Sequence, residues 1–187
     1  MITTLKAIKK HNLCPDGWRK LLLHLGKTKA DDEPLRIVTI LDSNGLDDAL
    51  SCLRAVKGRD REIRLYAVWC ARQGQHLMRD PRSLAALDVA ERYANGEASD
   101  AELSDARRAA ARAVRAAAGD AARGAARAVR AAAGDALDAA RAAEEAAAAQ
   151  AATGGAAWAA WDAAWAAARK QQGDKLREIC SALEVES

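Results

Sequence analysis

The chain contains no phenylalanine, and aromatic residues make up only 4% of its 187 positions. Its three prolines, Pro15, Pro34 and Pro81, all lie in the first half, so no proline breaks a helix after residue 81. The four cysteines, Cys14, Cys52, Cys70 and Cys180, form no CxxC pair and show no Cys/His metal spacing, which argues against a zinc module and a disulfide scaffold. A long uncharged apolar run is also missing. The apolar half of the chain is studded with Arg and Asp, which excludes a membrane span. Lysines follow Met1–Leu5 at once, so no signal peptide is expected. These absences predict a cytoplasmic protein with reduced thiols.

What the chain has in excess is alanine. Between residues 101 and 170 it fills 37 of 70 positions, and the string AARAVRAAAGDA occurs at 110–121 and again at 125–136. Alanine is the strongest helix former, and Gly119, Gly124 and Gly134 are the weak points of the run. Charge divides the chain in two. Residues 1–96 carry 17 Lys/Arg against 12 Asp/Glu, and residues 97–187 carry 12 against 14. The first 29 residues are the most basic, with Lys6, Lys9, Lys10, Arg19, Lys20, Lys27 and Lys29 against Asp16 alone. Such a run is more often a solvated surface than an anion site.

Caps and stops give the order of elements. A short amphipathic helix is expected over 3–11. A second runs from Trp18 to Leu25, with Asp16 as cap and Gly26 as stop. Asp32 and Pro34 open a third over Leu35–Leu41, where the β-branched IVTI makes a strand the rival, and Asn44-Gly45 ends it. A fourth covers Leu46–Val56. Asp60 caps a fifth that reaches about Arg79, and Asp80-Pro81 opens a sixth that stops at Asn95-Gly96. Ser99 and Glu102 have the spacing of a capping box. No strand is expected. The fold class is all-α: a helical head over 1–96, then an Ala-rich helical region over 97–187.

An unbroken helix from Ser99 to Ala152 would span roughly 75 Å. The run therefore either folds back at Gly119, Gly124 or Gly134 as an antiparallel hairpin, or packs against a second copy as a homo-oligomer. Thr153-Gly154-Gly155 ends it, and a final helix carries Trp158, Trp161 and Trp165 at i, i+3, i+7 as a packing or oligomer interface. At 100° per residue, Arg108, Arg112, Arg115, Arg123, Arg127, Arg130 and Arg141 fall on one side of the long helix. Val114, Ala118, Ala121, Ala125, Val129, Ala132 and Ala136 fall on the other. The arginine side is the candidate ligand surface.

The stretch Arg64–Leu103, RLYAVWCARQGQHLMRDPRSLAALDVAERYANGEASDAEL, resembles a segment of uncharacterised phage and prophage accessory proteins with Ala-rich helical tails. It is loosely similar to an immunity-protein family of polymorphic toxin systems. CPDGW at 14–18 and SNGLDDAL at 43–50 look like the same accessory group. The resemblance covers roughly residues 1–105 and carries no assigned chemistry. It implies a protein of the bacterial host cell that works by binding, often as an inhibitor of host defence.

No catalytic, cofactor or metal residue is assigned. On one helix Cys70 and His76 lie 240° apart, so they do not share a face. His76 and Asp80 sit at i, i+4, but the aspartate is better explained as the cap before Pro81. Arg64, Arg72, Arg79, Arg82 and Arg92 are phosphate or acidic-partner candidates, against intramolecular pairing with Glu62, Asp80, Asp88 and Glu91. Duplex nucleic acid is disfavoured, because aspartates flank the ridge and no aromatics interleave with it. The leading expectation is a non-enzymatic binding protein that neutralises a host immune component, with a host protein as partner. The alternatives are an immunity protein against a toxin and an oligomeric sponge for an anionic nucleotide signal.

Overall fold

The computed structural model describes residues 1–11, 13–78, 80–116, 123–124, 127–128, 130–131, 136–151 and 157–185. Their fold is all-α, apart from one two-residue strand pairing. The backbone gathers into two compact units, Met1–Asp60 with Gly173–Ser187, and Arg61–Gln172. Composition changes at residue 96, whereas the packing groups the chain from Arg61 onward with the alanine helices.

In the first unit, strand β1 (Ile2–Thr3) is followed by α1 (Leu5–Lys9), whose cap Thr4 accepts a hydrogen bond from Ala7 N. Helix α2 (Pro15–His24) starts earlier than its sequence suggests. Its cap is Cys14, whose Sγ accepts from Gly17 N at 3.3 Å, and Asp16 lies inside the first turn. Pro15 takes the first helical position, where a missing N–H costs nothing. The expectation of no strand also fails. Leu35–Arg36 forms β2, antiparallel to β1 with Ile2 opposite Arg36. Pro34 disfavours helix just before it, and Asp32 pairs with Lys6 instead of capping a helix.

Helix α3 (Ile37–Asn44) then begins two residues later than expected. Its β-branched start is helical because Ile37, Ile40 and Leu41 bury one face at i, i+3, i+4. Gly45, at φ 97°, makes the turn into α4 (Leu46–Cys52), a conformation that L side chains rarely adopt. A 3-10 turn, Leu53–Ala55, replaces the last turn foreseen for α4. Leu5, Ile8, Leu21, Ile37 and Ile40 are buried, as are Leu176, Cys180 and Leu183 of the chain's final turns. Those turns are held at the surface by Arg36–Glu184 and Arg177–Asp42 ion pairs. Part of the basic N-terminal run is also neutralised locally, Lys27 by Asp31 and Glu33 and Arg19 by Asp16.

The second unit opens with α5 (Asp60–Gln73), which ends at Gly74 and not near residue 79; a 3-10 turn over Gln75–Leu77 follows. His76 is therefore not on the α5 helix, and the angular comparison with Cys70 does not apply. Arg79 lies outside the described residues. Helix α6 (Pro81–Ala94) has Asp80 as its cap and stops at Asn95-Gly96, as read from sequence. The capping box is present: Ser99 N donates to Glu102 Oε2 at 2.8 Å, and Glu102 N donates to Ser99 Oγ at 3.3 Å. It opens α7 (Asp100–Ala116), which packs on α6 and buries Leu103, Ala106, Ala110 and Ala113.

The long alanine run is not one straight helix. Residues 124 and 146 of such a helix would lie roughly 33 Å apart. Here a Cβ built on Gly124 would come within 2.9 Å of Ala146 Cα and N. The chain has folded back between them. Gly124 is therefore a point of close approach and not a reversal, while Gly119, Gly134 and Gly154-Gly155 lie outside the described residues. The helical residues at 123–124, 127–128 and 130–131, the central segment below, pack on α8 (Ala136–Ala151). Helix α9 spans Ala157–Val185. Between α8 and α9 the unit buries polar groups. Arg169 Nη1 sits 3.3 Å from Glu144 Oε2, whose side chain is 1% exposed. Gln172 Nε2 donates to Ala140 O at 3.0 Å, and Tyr66 OH donates to Gln172 O at 3.3 Å.

Candidate anion-binding groove

Three helical stretches of the second unit turn an equivalent stripe toward one open groove. On α7 the stripe is Ser104, Arg107, Arg108 and Ala111; on the central segment, Arg127, Arg130 and Ala131; on α8, Asp138, Arg141, Ala142 and Glu145. The stripes of α7 and α8 follow the i, i+3, i+4, i+7 spacing of one helix face, and the central one follows i, i+3, i+4. The groove encloses about 860 Å³. Each stripe includes one alanine, Ala111, Ala131 or Ala142, which leaves room between the helices, and the arginines line the space.

The electrostatics are one-sided. Among the described residues, five arginines and two carboxylates line the groove, an excess of positive charge. Glu145 Oε2 accepts from Arg127 Nη1 at 3.0 Å, with both side chains about half exposed. Arg108 donates to Ser104 Oγ at 3.0 Å and pairs with Asp105. Exposed pairs of this kind contribute little stability, but they hold long side chains in place. Arg107 and Arg130 have no hydrogen-bond or ion-pair partner among the described residues. Guanidinium groups present planar forks that match phosphate or carboxylate oxygens two at a time. The arrangement is suited to holding a multivalent anion.

Of the arginines proposed from sequence, the structure brings Arg108, Arg127 and Arg130 into this groove. Arg112, Arg115 and Arg123 are exposed but lie outside it. The reason is the fold-back: a projection down one straight helix cannot rank residues that sit on three limbs. Arg141 was on the projected ridge. Arg107 was not, although its position one residue before Arg108 on the exposed face of α7 was the available signal.

The head-segment arginines are committed elsewhere. Arg64 stacks over the Tyr93 ring at 4.8 Å. Arg72 pairs with Glu91 and with Asp88, the latter at 3.3 Å. Arg82 pairs with Asp80 at 2.6 Å, and Arg92 with Glu102 at 3.3 Å. The intramolecular reading holds for these four side chains, and Arg64 and Arg72 are not part of the groove. Trp165 is half-buried, while the side chains of Trp158 and Trp161 lie outside the described residues.

Burial pushes the Cys52 and Cys70 thiols up to about 12, which keeps them protonated. Among the described residues no group of three or more His, Cys, Asp or Glu side chains is arranged to hold a metal ion. No described helix is long and apolar enough to cross a membrane. Comparisons with known protein families, with curated proteins and with solved structures find no match to this chain.

Proposed function

We propose that this chain is a non-enzymatic, phage-type binding protein that neutralises a bacterial defence component, and that the component is a phosphate-bearing, nucleotide-sized anion held in the arginine groove. The observation that carries this reading is the convergence of Arg107, Arg108, Arg127, Arg130 and Arg141 from three helical limbs on one cavity. Its volume falls within the span of small-molecule sites, on the order of 300–1,000 Å³. Ligand phosphates would displace the exposed Arg127–Glu145 pair at small cost and would meet side chains already extended toward them.

The groove favours a nucleotide over a protein surface as the partner, since it is a concave cavity between helices and not a flat face. The resemblance of Arg64–Leu103 to phage accessory segments supports action inside an infected bacterial cell, where capture of a signalling nucleotide would silence the response that depends on it. Held as a reservoir and not turned over, the ligand leaves unchanged on release. The test is to purify the chain from bacterial cells, denature it by heat and identify released anions by mass spectrometry. A nucleotide released in near-stoichiometric amount is the expected result. Recovery of a stoichiometric protein partner with no nucleotide would overturn this reading in favour of a protein inhibitor.

A further inference from the structure

The walls of the arginine groove are unlike one another. Among the described residues, four of its five arginines stand on α7 and the central segment, whereas both carboxylates, Asp138 and Glu145, stand on α8. One side of the groove is basic and the other is mixed. The arginines also differ in what already engages them. Arg127 is taken by Glu145, and Arg108 by Ser104 and Asp105. Arg107 and Arg130 have no hydrogen-bond or ion-pair partner among the described residues, and they stand on different limbs of the basic side.

A bare polyanion has no use for the mixed side. Carboxylates repel phosphate oxygens, so a groove made for phosphate alone gains nothing from two of them. We propose, on the premise that the groove is an anion site, that it holds a nucleoside polyphosphate in one orientation. The phosphate chain bridges Arg107 and Arg130, and the sugar and base lie against α8, where Asp138 accepts their O–H or N–H donors.

The geometry along the groove fits that orientation. Gly124 closes on Ala146 and Arg127 reaches Glu145, so the central segment and α8 run antiparallel. Arg130 then lies about one turn from Arg127 toward the start of α8. Asp138 is in that first turn of α8, roughly 10 Å from Glu145 along the helix. A nucleotide with phosphate at Arg130 therefore extends toward Asp138 and away from Glu145, which Arg127 neutralises. Asp138 is exposed; it interacts within the protein as well, and the two oxygens of a carboxylate accept from more than one donor. Hydrogen bonds to an ionised acceptor are the strong kind. A nucleotide brings hydroxyl and N–H donors to this end, whereas inorganic tripolyphosphate has neither sugar nor base.

The test titrates ATP, AMP and inorganic tripolyphosphate by calorimetry into the full wild-type chain, Asp138→Asn and Arg107→Gln, in metal-free buffer. The wild type is expected to bind ATP about tenfold more tightly than tripolyphosphate, the effect of one hydrogen bond to a charged group. It should also bind ATP more tightly than AMP, which has one phosphate for two arginines. Asp138→Asn removes a negative charge from the groove and should part the ligands: ATP binds more weakly, and tripolyphosphate at least as tightly as before. A merely structural role for Asp138 would move both together. Arg107→Gln should weaken both, by about tenfold. The orientation is overturned if the wild type binds tripolyphosphate or AMP as tightly as ATP, if Asp138→Asn moves ATP and tripolyphosphate in the same direction, or if Arg107→Gln leaves ATP binding unchanged. In each of these cases the groove remains an anion site. A wild-type chain that binds none of the three at about 1 mM ends the anion reading itself, and the orientation with it. The comparison within the wild type stands even where a variant fails to fold.

Discussion

The two units are packed by different means. In Met1–Asp60 with Gly173–Ser187, the core is branched aliphatic: Leu5, Ile8, Leu21, Ile37 and Ile40 are almost wholly buried, and charged pairs stay at the surface. In Arg61–Gln172 the buried residues of α7 and α8 are mostly alanine, and the buried polar groups Glu144 and Gln172 lie among them. Large side chains specify their neighbours by shape. Alanine does not, so helices of alanine take their register from where a backbone can approach and where a polar group must be paired. Gly124 supplies the first constraint and the Glu144–Arg169 pair the second. That difference also explains the groove: alanine helices pack tightly on one side and leave space lined by long arginines on the other.

The comparison can be broken most strongly at the buried pair. Arg169→Met takes the guanidinium away from the buried Glu144 carboxylate and should cost about 3–5 kcal/mol in urea denaturation. Ile40→Ala in the aliphatic core should cost a similar amount, about 2–5 kcal/mol. The two differ in rescue: adding Glu144→Gln to Arg169→Met should recover most of the loss, since no charge is then left buried. If the double variant is as unstable as the single one, the pair does not set the register.

Next in size is the close approach. Gly124→Ala forces a methyl against the α8 backbone and should destabilise by about 1–3 kcal/mol. It should also weaken anion binding, because it moves one wall of the groove. Gly173→Ala is the control. That helical glycine has open space around its Cβ position, so the change should stabilise by up to about 1 kcal/mol. Equal effects at the two positions would show that helix propensity, and not packing, governs both.

Smaller effects, from thiol labelling and from pH, test both units. Burial raises the Cys52, Cys70 and Cys180 thiols above their ordinary value, whereas Cys14 is exposed. A thiol reagent at about pH 8 should therefore label Cys14 alone until the chain unfolds; rapid labelling of a second cysteine would contradict the packing of the unit that holds it. At the cap of α6, hydrogen bonds from the Arg82 side chain and backbone hold the Asp80 carboxyl down to about 2. A carboxyl depressed on folding contributes stability above its unfolded value near 3.8 and loses it as pH falls through the folded value. Helicity followed by circular dichroism should thus show a small loss between those two values, and Asp80→Asn should remove that pH dependence.

Local signals in the sequence were legible where a single residue decides the structure. Asp80 before Pro81, the Ser99–Glu102 box and the Asn44-Gly45 and Asn95-Gly96 stops all appear where the residues place them. Cys14 as a cap was not legible, because a thiol is a weak acceptor and Asp16 is the stronger local candidate. The β1–β2 pairing was hidden because two-residue strands carry no periodicity and depend on partners 32 and 34 positions away. The candidate site was half legible. Helical spacing identified an arginine face, but which arginines share a cavity depends on the reversals between the limbs. Tertiary packing decides that, and the alanine pattern reads the same in a straight helix and a folded one.

The most direct measurement is calorimetric titration of ATP, with adenosine as the phosphate-free control, into the wild-type chain and into Arg127→Glu/Arg130→Glu. The account predicts saturable ATP binding to the wild type that weakens as salt screens the charges, no adenosine binding, and loss of ATP binding in the charge-reversed variant with helicity retained. Equal binding of ATP by both proteins, or no binding of ATP to a wild-type chain shown to be free of copurified anion, would contradict the claim that the groove is an anion site.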